Sequence, residues 1–251
     1  MRFQNKTVLI TGASAGIGAD AARAFAEEGA NVFLVARRSA VGESIAQSIR
    51  DAGGEATFFQ ADMANRDDIK NMVEACLQTY GRLDIAFNNA GIEGAFFVDT
   101  HEHPEDAWDD LLAVNLTAVW LCMRHEIKAM LKQGGGVIVN MASMAGVKGF
   151  AGSSGYAASK FGVVGITKAA ALEYASRGIR VNCVCPAVIQ TDMAEKIFHQ
   201  TEESRQATAA AHPIGRIGTA REVTNAVLWL ASPEASFVVG EALQIDGGIG
   251  A

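Results

Sequence analysis

The sequence predicts an α/β fold in which helices flank a doubly wound parallel sheet of about seven strands. Short runs rich in apolar and β-branched residues alternate with longer helical patterns along the whole chain. Several of these runs, such as Val8–Ile10, Val32–Val35 and Val137–Val139, are apolar on both faces, as buried parallel strands are. Because no repeat, low-complexity segment or linker interrupts the 251 residues, a single domain over residues 1–251 is expected.

The predicted elements follow the change from one pattern to the other. Strands are predicted at Thr7–Thr11, Asn31–Ala36, Ala56–Ala61, Leu83–Asn88, Gly136–Met141, Ile179–Cys185 and Ala242–Ile245. Helices are predicted at Ile17–Glu28, Val41–Ala52, Asp67–Tyr80, Trp108–Leu131, Tyr156–Ser176 and Arg221–Ala231. Glycines such as Gly29, Gly81 and Gly178 stand where a helix gives way to a strand and a left-handed residue is favoured.

The segment at about 192–213 differs from the other helical stretches. It is compatible with helix but carries scattered polar residues, and it follows the sixth predicted strand. The carboxyl end of that strand is expected to border the ligand crevice of a doubly wound sheet. We therefore predict a mobile substrate lid here, with a plain pair of surface helices as the alternative.

Composition limits the partners that this chain can have. Hydrophobic residues make up 49% of the chain and charged residues 20%, which is typical of a globular protein with a large core. A net charge of −7 argues against a nucleic-acid partner, since phosphate binding needs a basic face. The first apolar run, Thr7–Ile10, is too short for a signal-peptide core, and no stretch approaches the roughly 20 apolar residues of a membrane span. No membrane association and a cytoplasmic location are expected.

Neither the cysteines nor the histidines predict a metal site. Cys183 and Cys185 lack the two-residue gap of a zinc or redox pair and lie within an apolar strand pattern, so buried reduced thiols are expected. His101 and His103 lie in a polar loop without a third ligand nearby. The prediction is therefore that the chain holds no metal.

A glycine-rich turn, Thr11–Gly18, follows the first predicted strand and opens the first helix. Glycine there permits a tight turn and a close approach of backbone to phosphate, and the helix N-terminus favours negative charge. The turn predicts a dinucleotide site, although flavins, S-adenosylmethionine or no ligand remain alternatives. The residues of the turn expected at the cofactor are Gly12, Ser14, Ala15, Gly16, Ile17 and Gly18.

The end of the second strand bears on the choice between the two nicotinamide cofactors. An NAD site usually places a carboxylate there for the ribose hydroxyls, whereas this chain has Arg37 and Arg38. Guanidinium groups suit a phosphate, so NADP(H) is favoured over NAD(H). In the alternative interpretation both arginines cap the strand end in solvent, and Ala15 offers no further basic side chain in the glycine turn.

Tyr156 and Lys160 are four residues apart and lie on one face of a predicted helix. A nearby cation favours the phenolate, so we expect Lys160 to lower the Tyr156 pKa from its ordinary value of about 10. Such a group can donate or accept a proton in carbonyl reduction. Most Tyr-x-x-x-Lys pairs are solvated surface, and this pair alone does not establish the chemistry.

Taken in order, the motifs resemble those of short-chain dehydrogenases/reductases over nearly the whole chain, from Thr7 to Gly248. The matching motifs are Thr11–Gly18, Asp62, Asn88–Gly91, Asn115, Ser143, Tyr156–Lys160, Pro186 with Thr191, and Asp246–Gly248. The resemblance implies a Rossmann fold and reversible hydride transfer between a nicotinamide and a carbonyl or secondary alcohol. It also implies a homo-oligomer, commonly a tetramer.

The resemblance further implies cofactor contacts outside the glycine turn. Asp62 would accept from the adenine amino group with Met63 beside the ring, although Asp62 or Asn65 could instead cap a helix. The remaining residues implied at the ribose and the nicotinamide are Asn88, Ala90, Gly91, Tyr156, Lys160, Pro186, Ile189 and Thr191. The chain departs from the family at Ala187, where glycine is commonest, which puts the details of the carboxamide contact in doubt.

Four residues match the catalytic positions of the family. Tyr156 would exchange the proton, Lys160 would also bind the nicotinamide ribose, and Ser143 would stabilise the carbonyl oxygen. Asn115 would hold a water that links Lys160 to solvent. Each has an ordinary structural alternative: a kinked helix at Asn115, a strand end at Ser143 and a surface charge at Lys160.

The expected substrate pocket is mostly apolar and favours a moderately hydrophobic ketone or aldehyde. Its predicted lining is Ser143, Ile92, Glu93, Met144, Ala145, Val188 and Met193. The sequence does not choose among a ketone, a steroid-like ring, a sugar and a 3-oxoacyl thioester. An NAD-dependent sugar or polyol dehydrogenase and a noncatalytic NADP-sensing scaffold are the alternative functions.

Overall fold

The computed structural model describes residues 1–198 and 201–251. Seven parallel strands form one sheet in the order β3-β2-β1-β4-β5-β6-β7. The strands are β1 Thr7–Thr11, β2 Asn31–Ala36, β3 Glu55–Gln60, β4 Ile85–Asn88, β5 Gly136–Met141, β6 Ile179–Pro186 and β7 Ala242–Ile245. The predicted α/β class and parallel sheet are confirmed, with strand bounds that differ by at most two residues.

Nine helices pack on this sheet within the described residues. They are α1 Gly16–Glu27, α2 Ser39–Asp51, α3 Arg66–Tyr80, α4 Glu105–Leu112, α5 Ala118–Gln133, α6 Ser154–Tyr174, α7 Asp192–Phe198, α8 Glu202–Ala210 and α9 Ala220–Ala231. Among these residues no helix is both long and apolar enough to traverse a bilayer.

Two hydrophobic cores lie on opposite faces of the sheet, because successive strand residues point in opposite directions. Val8 and Ile10 of β1 pack into the core that includes α1, α2 and α9. Leu9, between them in sequence, packs into the core that includes α3, α5 and α6. This arrangement explains why the strands are apolar on both faces.

The helix predicted at Trp108–Leu131 is interrupted, and this part of the prediction is corrected. A π-helical turn at Ala113–Thr117 separates α4 from α5, and the Ala118 N–H bonds the carbonyl of Ala113. Such turns insert one extra residue into a helix and often occur at functional sites. Asn115, one of the predicted catalytic residues, lies inside this turn.

The segment predicted as a lid contains α7 and α8, so its helical character is confirmed. The Thr201 side chain and Ser204 form a capping box that starts α8. His199 and Gln200, which the predicted lid includes, lie outside the described residues. Movement of the segment stays a prediction.

Candidate active site

A cavity of about 1,210 Å³ opens at the carboxyl ends of the strands. Strand order reverses between β1 and β4, which is where ligands bind in open α/β sheets. Its volume exceeds the range of about 300–1,000 Å³ that is usual for one small ligand. The cavity therefore has room for a dinucleotide at the glycine turn and a substrate beneath α7 and α8.

The glycine turn forms one end of this cavity and leaves space that side chains would fill. Gly12 has a φ of 67°, and a Cβ there would lie 2.9 Å from Ala90 Cα. Gly16 has a φ of 51°, and its Cβ would lie 3.1 Å from Thr191 Cγ2. Ala15 occupies the N-cap of α1 and its methyl group has no acceptor for the first-turn N–H groups. The turn thus fits a pyrophosphate, which those N–H groups would bind.

Gly18, also predicted at the cofactor, serves packing. A Cβ on Gly18 would collide with the carbonyl oxygen of Gly12 and lie 2.6 Å from Asn89 Nδ2. Gly18 is buried, and its lack of a side chain lets α1 approach the turn from below. Gly18 thus supports the turn by packing, and its predicted contact with the cofactor stays a prediction.

Arg37 and Arg38 line the cavity beyond the end of β2. Arg38 Nη2 donates to the Ser14 hydroxyl at 3.2 Å and to the Ser14 carbonyl at 3.3 Å. The Arg38 guanidinium therefore lies over the glycine turn rather than only capping the strand in solvent. This position fits a phosphate on the adenosine ribose.

Asp62 and Met63 line the cavity after β3. The N-cap of α3 is Asn65, whose side chain accepts from Asp67 N at 2.9 Å and Asp68 N at 3.3 Å. Asp62 accepts instead from the backbone N–H of Ala64 at 2.9 Å. The capping alternative therefore belongs to Asn65, and Asp62 is placed where it can bind an adenine.

Asn88 was predicted at the cofactor, but its side chain points into the core. Asn88 Nδ2 donates to Glu126 Oε2 and to Asn140 Oδ1, both at 3.0 Å. The next residue, Asn89, lines the cavity and donates to the carbonyl of Thr11 at 3.0 Å. Side chains alternate along a strand, so a shift of one residue reverses the face. Asn89 is the residue that the sequence reasoning missed.

The other predicted cofactor residues lie together on the cavity wall. They are Ala90, Gly91, Pro186, Ile189 and Thr191. Ala187, the departure from the family, lies beside them and bonds Ile245 through its backbone N–H at 3.1 Å. Its backbone conformation lies outside the left-handed region, so its methyl group is tolerated without strain.

Three predicted catalytic residues meet in the middle of the cavity. Ser143 follows β5, accepts from Ala145 N at 3.1 Å and lies near enough to the Tyr156 hydroxyl to lower its pKa. Lys160 Nζ lies 5.6 Å from the centre of the Tyr156 ring and donates to the Met141 carbonyl at 3.0 Å. Lys160 is only 3% exposed, so it is no surface charge.

The protonation of Tyr156 differs from the sequence expectation. Burial raises the pKa of Tyr156 to about 12, and the nearby Ser143 hydroxyl only partly opposes this. Burial also lowers the pKa of Lys160 to about 8, because it disfavours the ammonium form. In the protein alone, burial outweighs any lowering of the Tyr156 pKa by Lys160, and a lowering in the complex with a nicotinamide stays a prediction. At neutral pH Tyr156 carries its proton.

Asn115 is fully buried and holds the loop after β4. Its Oδ1 accepts from the Ile92 N–H at 2.8 Å, and its Nδ2 donates to the Ile92 carbonyl at 2.9 Å. Gly91 packs against it, since a Cβ there would lie 3.2 Å from Asn115 Oδ1. The side chain thus fixes the wall of the cavity, and the water-holding role stays a prediction.

The predicted substrate residues all line the cavity. They are Ser143, Ile92, Glu93, Met144, Ala145, Val188 and Met193. Glu93 pairs with Lys196 of α7, with Glu93 Oε1 and Lys196 Nζ 3.6 Å apart. This ion pair joins the loop after β4 to the predicted lid.

Aromatic residues that the sequence reasoning missed complete the substrate end. Phe96, Phe97, Phe150 and Phe198 line the cavity. The signal that could have found two of them is the Phe96-Phe97 pair, which stands in a glycine-containing loop with little reason to be apolar.

All four cysteines lie in the described part of the chain and are buried and free, which confirms the expected reduced thiols. No group of three or more potential metal-ligating side chains lies together in residues 1–198 and 201–251.

Comparison with known proteins identifies the family. A family model described as enoyl-(acyl carrier protein) reductase matches residues 12–250. The chain is 42% identical over 246 residues to cyclohexanol dehydrogenase of Acinetobacter sp., covering 98% of this chain and 95% of that protein. It is 40% identical over 250 residues to a 3-oxoacyl-acyl-carrier-protein reductase of Thermotoga maritima, covering 99% of both.

A solved structure agrees with these sequence matches. A variant of actinorhodin polyketide ketoreductase with NADPH has a TM-score of 0.94 and 38% identity, covering 98% of this chain and 97% of that one. The protein is an oxidoreductase that belongs to the short-chain dehydrogenase/reductase family.

Proposed function

We propose that this protein transfers a hydride between NADP(H) and the carbonyl or secondary alcohol of a moderately hydrophobic small molecule. The observation that carries the proposal is the meeting of Ser143, Tyr156 and Lys160 between a phosphate-binding turn and an apolar pocket. It acts as a ketone or aldehyde reductase.

The bound nicotinamide supplies the hydride. As the carbonyl carbon would take that hydride, Tyr156 would donate its proton to the carbonyl oxygen, which would give the alcohol. Ser143 donates to the carbonyl oxygen and stabilises the negative charge that develops there. Lys160, held by the Met141 carbonyl, is placed to bind the nicotinamide ribose and to return a proton towards Tyr156.

The charge state of Tyr156 in the free protein suits the reductive direction of a reversible reaction. Burial keeps Tyr156 protonated at neutral pH, which is the form that donates to a carbonyl. In the reverse direction the Tyr156 phenolate accepts the proton of the alcohol, so the same residue serves both directions.

Two observations support NADP(H) over NAD(H). Arg38 lies on the glycine turn through Ser14, and Arg37 lines the same wall. A structurally similar ketoreductase was solved with NADPH. The likeness to cyclohexanol dehydrogenase favours an NAD-linked or oxidative alcohol dehydrogenase as the second candidate. A comparison of rates with NADPH and NADH separates the two.

The organisation of the protein is part of the proposal. One sheet containing strands from Thr7 to Ile245 supports a single domain, with a lid at about 192–213. Trp120, Phe161 and Leu172 are exposed on α5 and α6, which supports a homo-oligomer such as a tetramer. A cytoplasmic location completes the proposal. Elution at the monomer size would reject the oligomer.

Replacement of Tyr156 by Phe tests the proposed chemistry. Loss of a well-placed acid–base group lowers a rate by about 10²–10⁴. We expect Tyr156→Phe to lower kcat for ketone reduction by that factor while the Kd for NADPH, measured by fluorescence, stays within about twofold. Tyr174→Phe, on the same helix but outside the cavity, is the matched control. Wild-type turnover in Tyr156→Phe would contradict the assigned role.

A further inference from the structure

Aromatic rings form a cluster around the proton donor at the substrate end of the cavity. The Phe96 ring centre lies 5.1 Å from that of Tyr156 and 6.0 Å from that of Phe198 on α7. Phe97 completes the cluster, with its ring centre 6.1 Å from that of Phe198 at an interplanar angle of 89°. The aromatic cluster, Phe96, Phe97 and Phe198, thus connects the loop after β4 to the helix over the pocket.

The backbone conformation of Phe97, which positions its ring in the cluster, is strained. Phe97 has a φ of 61°, in the left-handed region that side-chain-bearing residues rarely adopt. Its side chain is 72% exposed although it faces Phe198 across the cavity mouth. Local strain of this kind persists where the surrounding structure enforces it, and it concentrates at ligand sites. Burial in the free protein therefore does not account for the position of Phe97.

The hydroxyl groups beside the cluster already have partners within the chain. Ser153 donates to the Phe150 carbonyl at 2.7 Å, and Thr208 donates to the Ser204 carbonyl at 2.7 Å. Ser204 donates in turn to the Thr201 carbonyl at 2.8 Å. Because their protons are used within the chain, these hydroxyl groups can only accept from a substrate, which leaves few hydroxyl donors for a desolvated sugar.

The charged side chains of the substrate end also disfavour an anionic substrate. Glu93 and Asp192 line this end together with Lys196, which pairs with Glu93. Among the described residues of this end, the two acidic groups, Glu93 and Asp192, are therefore matched by two basic ones, Lys160 and Lys196. A phosphate-bearing thioester carrier would meet no excess of positive charge.

We propose that the substrate is an uncharged alicyclic ketone, or the matching secondary alcohol, whose ring packs on Phe96 beneath Phe198. This inference rests on the proposed function. A compact ring lies flat against an aromatic face and loses little torsional freedom on binding, whereas a linear chain has to be ordered. The ring carbonyl then points at Tyr156, whose ring contacts Phe96, and at the neighbouring Ser143.

Four carbonyl compounds test the substrate class, with NADPH oxidation followed by absorbance. They are cyclohexanone, hexan-2-one with the same number of carbons, fructose as a polyol ketone, and acetoacetyl-coenzyme A as an anionic thioester. We expect kcat/KM for cyclohexanone to exceed that for hexan-2-one about tenfold or more, because complementary apolar contacts distinguish substrates on this scale. A higher kcat/KM for fructose or the thioester would overturn the inference.

Variants of the cluster test which residues give the preference. Phe96→Ala and, separately, Phe198→Ala should lower kcat/KM for cyclohexanone by about 10- to 100-fold and hexan-2-one less, with the Kd for NADPH unchanged. Phe96→Leu, which keeps apolar volume without the ring, should fall between wild type and Phe96→Ala. Val41→Ala, which truncates an exposed side chain outside the cavity lining, is the control.

The outcomes separate this inference from the proposed function. An unchanged ratio between cyclohexanone and hexan-2-one in both alanine variants, with unfolding temperatures near wild type, overturns the ring-binding role. Tyr156-dependent reduction that prefers the thioester leaves the proposed function standing and removes the inference. If the enzyme oxidises NADPH with none of the four compounds, both the ring-binding inference and the proposed reductase function are rejected.

Discussion

The two ends of the cavity are built in different ways. The cofactor end consists largely of backbone at the ends of strands, and its shape depends on Gly12 and Gly16 having no side chains. The substrate end consists of side chains such as Phe96 and Phe198, which come from a loop and from α7. The spacing of glycines in the sequence predicts backbone geometry of this kind. A cluster of side chains depends instead on which distant segments of the chain come into contact. The cofactor end should therefore be intolerant of small changes and the substrate end adaptable.

The largest expected effect comes from adding one methyl group at the cofactor end. Gly12→Ala places a Cβ 2.9 Å from Ala90 Cα in a backbone with a φ of 67°. We expect the Kd for NADPH to rise by about 100-fold, since each 1.4 kcal/mol corresponds to a factor of ten. Isothermal titration calorimetry measures this change.

Gly53→Ala is the matched control for that change. Gly53 also has a positive φ, 84°, but a Cβ there meets nothing within 4 Å. Strain alone should reduce its stability by about 1 kcal/mol and leave NADPH binding intact. Equal NADPH affinity in the two variants would show that space at Gly12 is not what the cofactor end requires.

The second largest expected effect is on the choice between NADPH and NADH at the cofactor end. Arg38→Asp replaces the guanidinium over Ser14 with a carboxylate that suits ribose hydroxyls and repels a phosphate. The ratio of kcat/KM for NADPH to that for NADH should fall by about 10- to 100-fold, because charge-assisted bonds contribute about 1.5–3 kcal/mol. Steady-state kinetics with each cofactor and one ketone measure the ratio. Arg66→Asp, at an exposed arginine of α3, is the control, and an unchanged ratio in Arg38→Asp would remove the NADP(H) assignment.

The last effect is on stability alone and concerns the support beneath the cofactor end. Burial raises the pKa of Glu126 to about 8 from an ordinary value of 4.5, although its hydrogen bond from Asn88 opposes the shift. Between these values the folded protein holds a proton that the unfolded chain releases, so stability falls as the pH rises towards 8. Glu126→Gln keeps the shape without this titration.

Glu126→Gln should therefore be more stable than the wild type at pH 8, by about 4 kcal/mol, and similar to it near pH 4.5. Urea denaturation at both pH values measures the difference. A wild-type stability that rises between these pH values, with the same rise in the variant, would contradict the buried neutral carboxyl.

Much of the fold and of the cofactor end was predictable from local patterns. Strand positions follow from apolar runs that are buried on both faces, and the turn at Gly12 follows from glycine spacing after a strand. The sequence did not show that the Asn88 side chain enters the core while Asn89 lines the cavity, because strand phase at the last residue depends on neighbouring strands. The family resemblance identified the motif Asn88–Gly91, but it did not predict on which face of the sheet each of its side chains lies.

The remaining errors have the same cause, which is that tertiary burial is not a local property. The pKa of Tyr156 depends on how deeply the folded chain encloses the phenol, and the sequence shows only that Lys160 is four residues away. Phe198 is 102 positions from Phe96 in the chain, yet their ring centres are 6.0 Å apart. The spacing of residues in the sequence therefore does not predict a contact between two such distant positions.

The π-helical turn at Ala113–Thr117 has a consequence for how the long helical stretch is divided. One additional residue rotates everything after it by about 100° relative to a regular helix. Leu111, before the turn, and Glu126, after it, therefore both face the interior although their separation alone does not fix them on one stripe. The inserted residue changes the rotation of α5 relative to α4. Both α4, beside the loop after β4, and α5, which supports Asn88, can therefore direct their apolar sides to the interior.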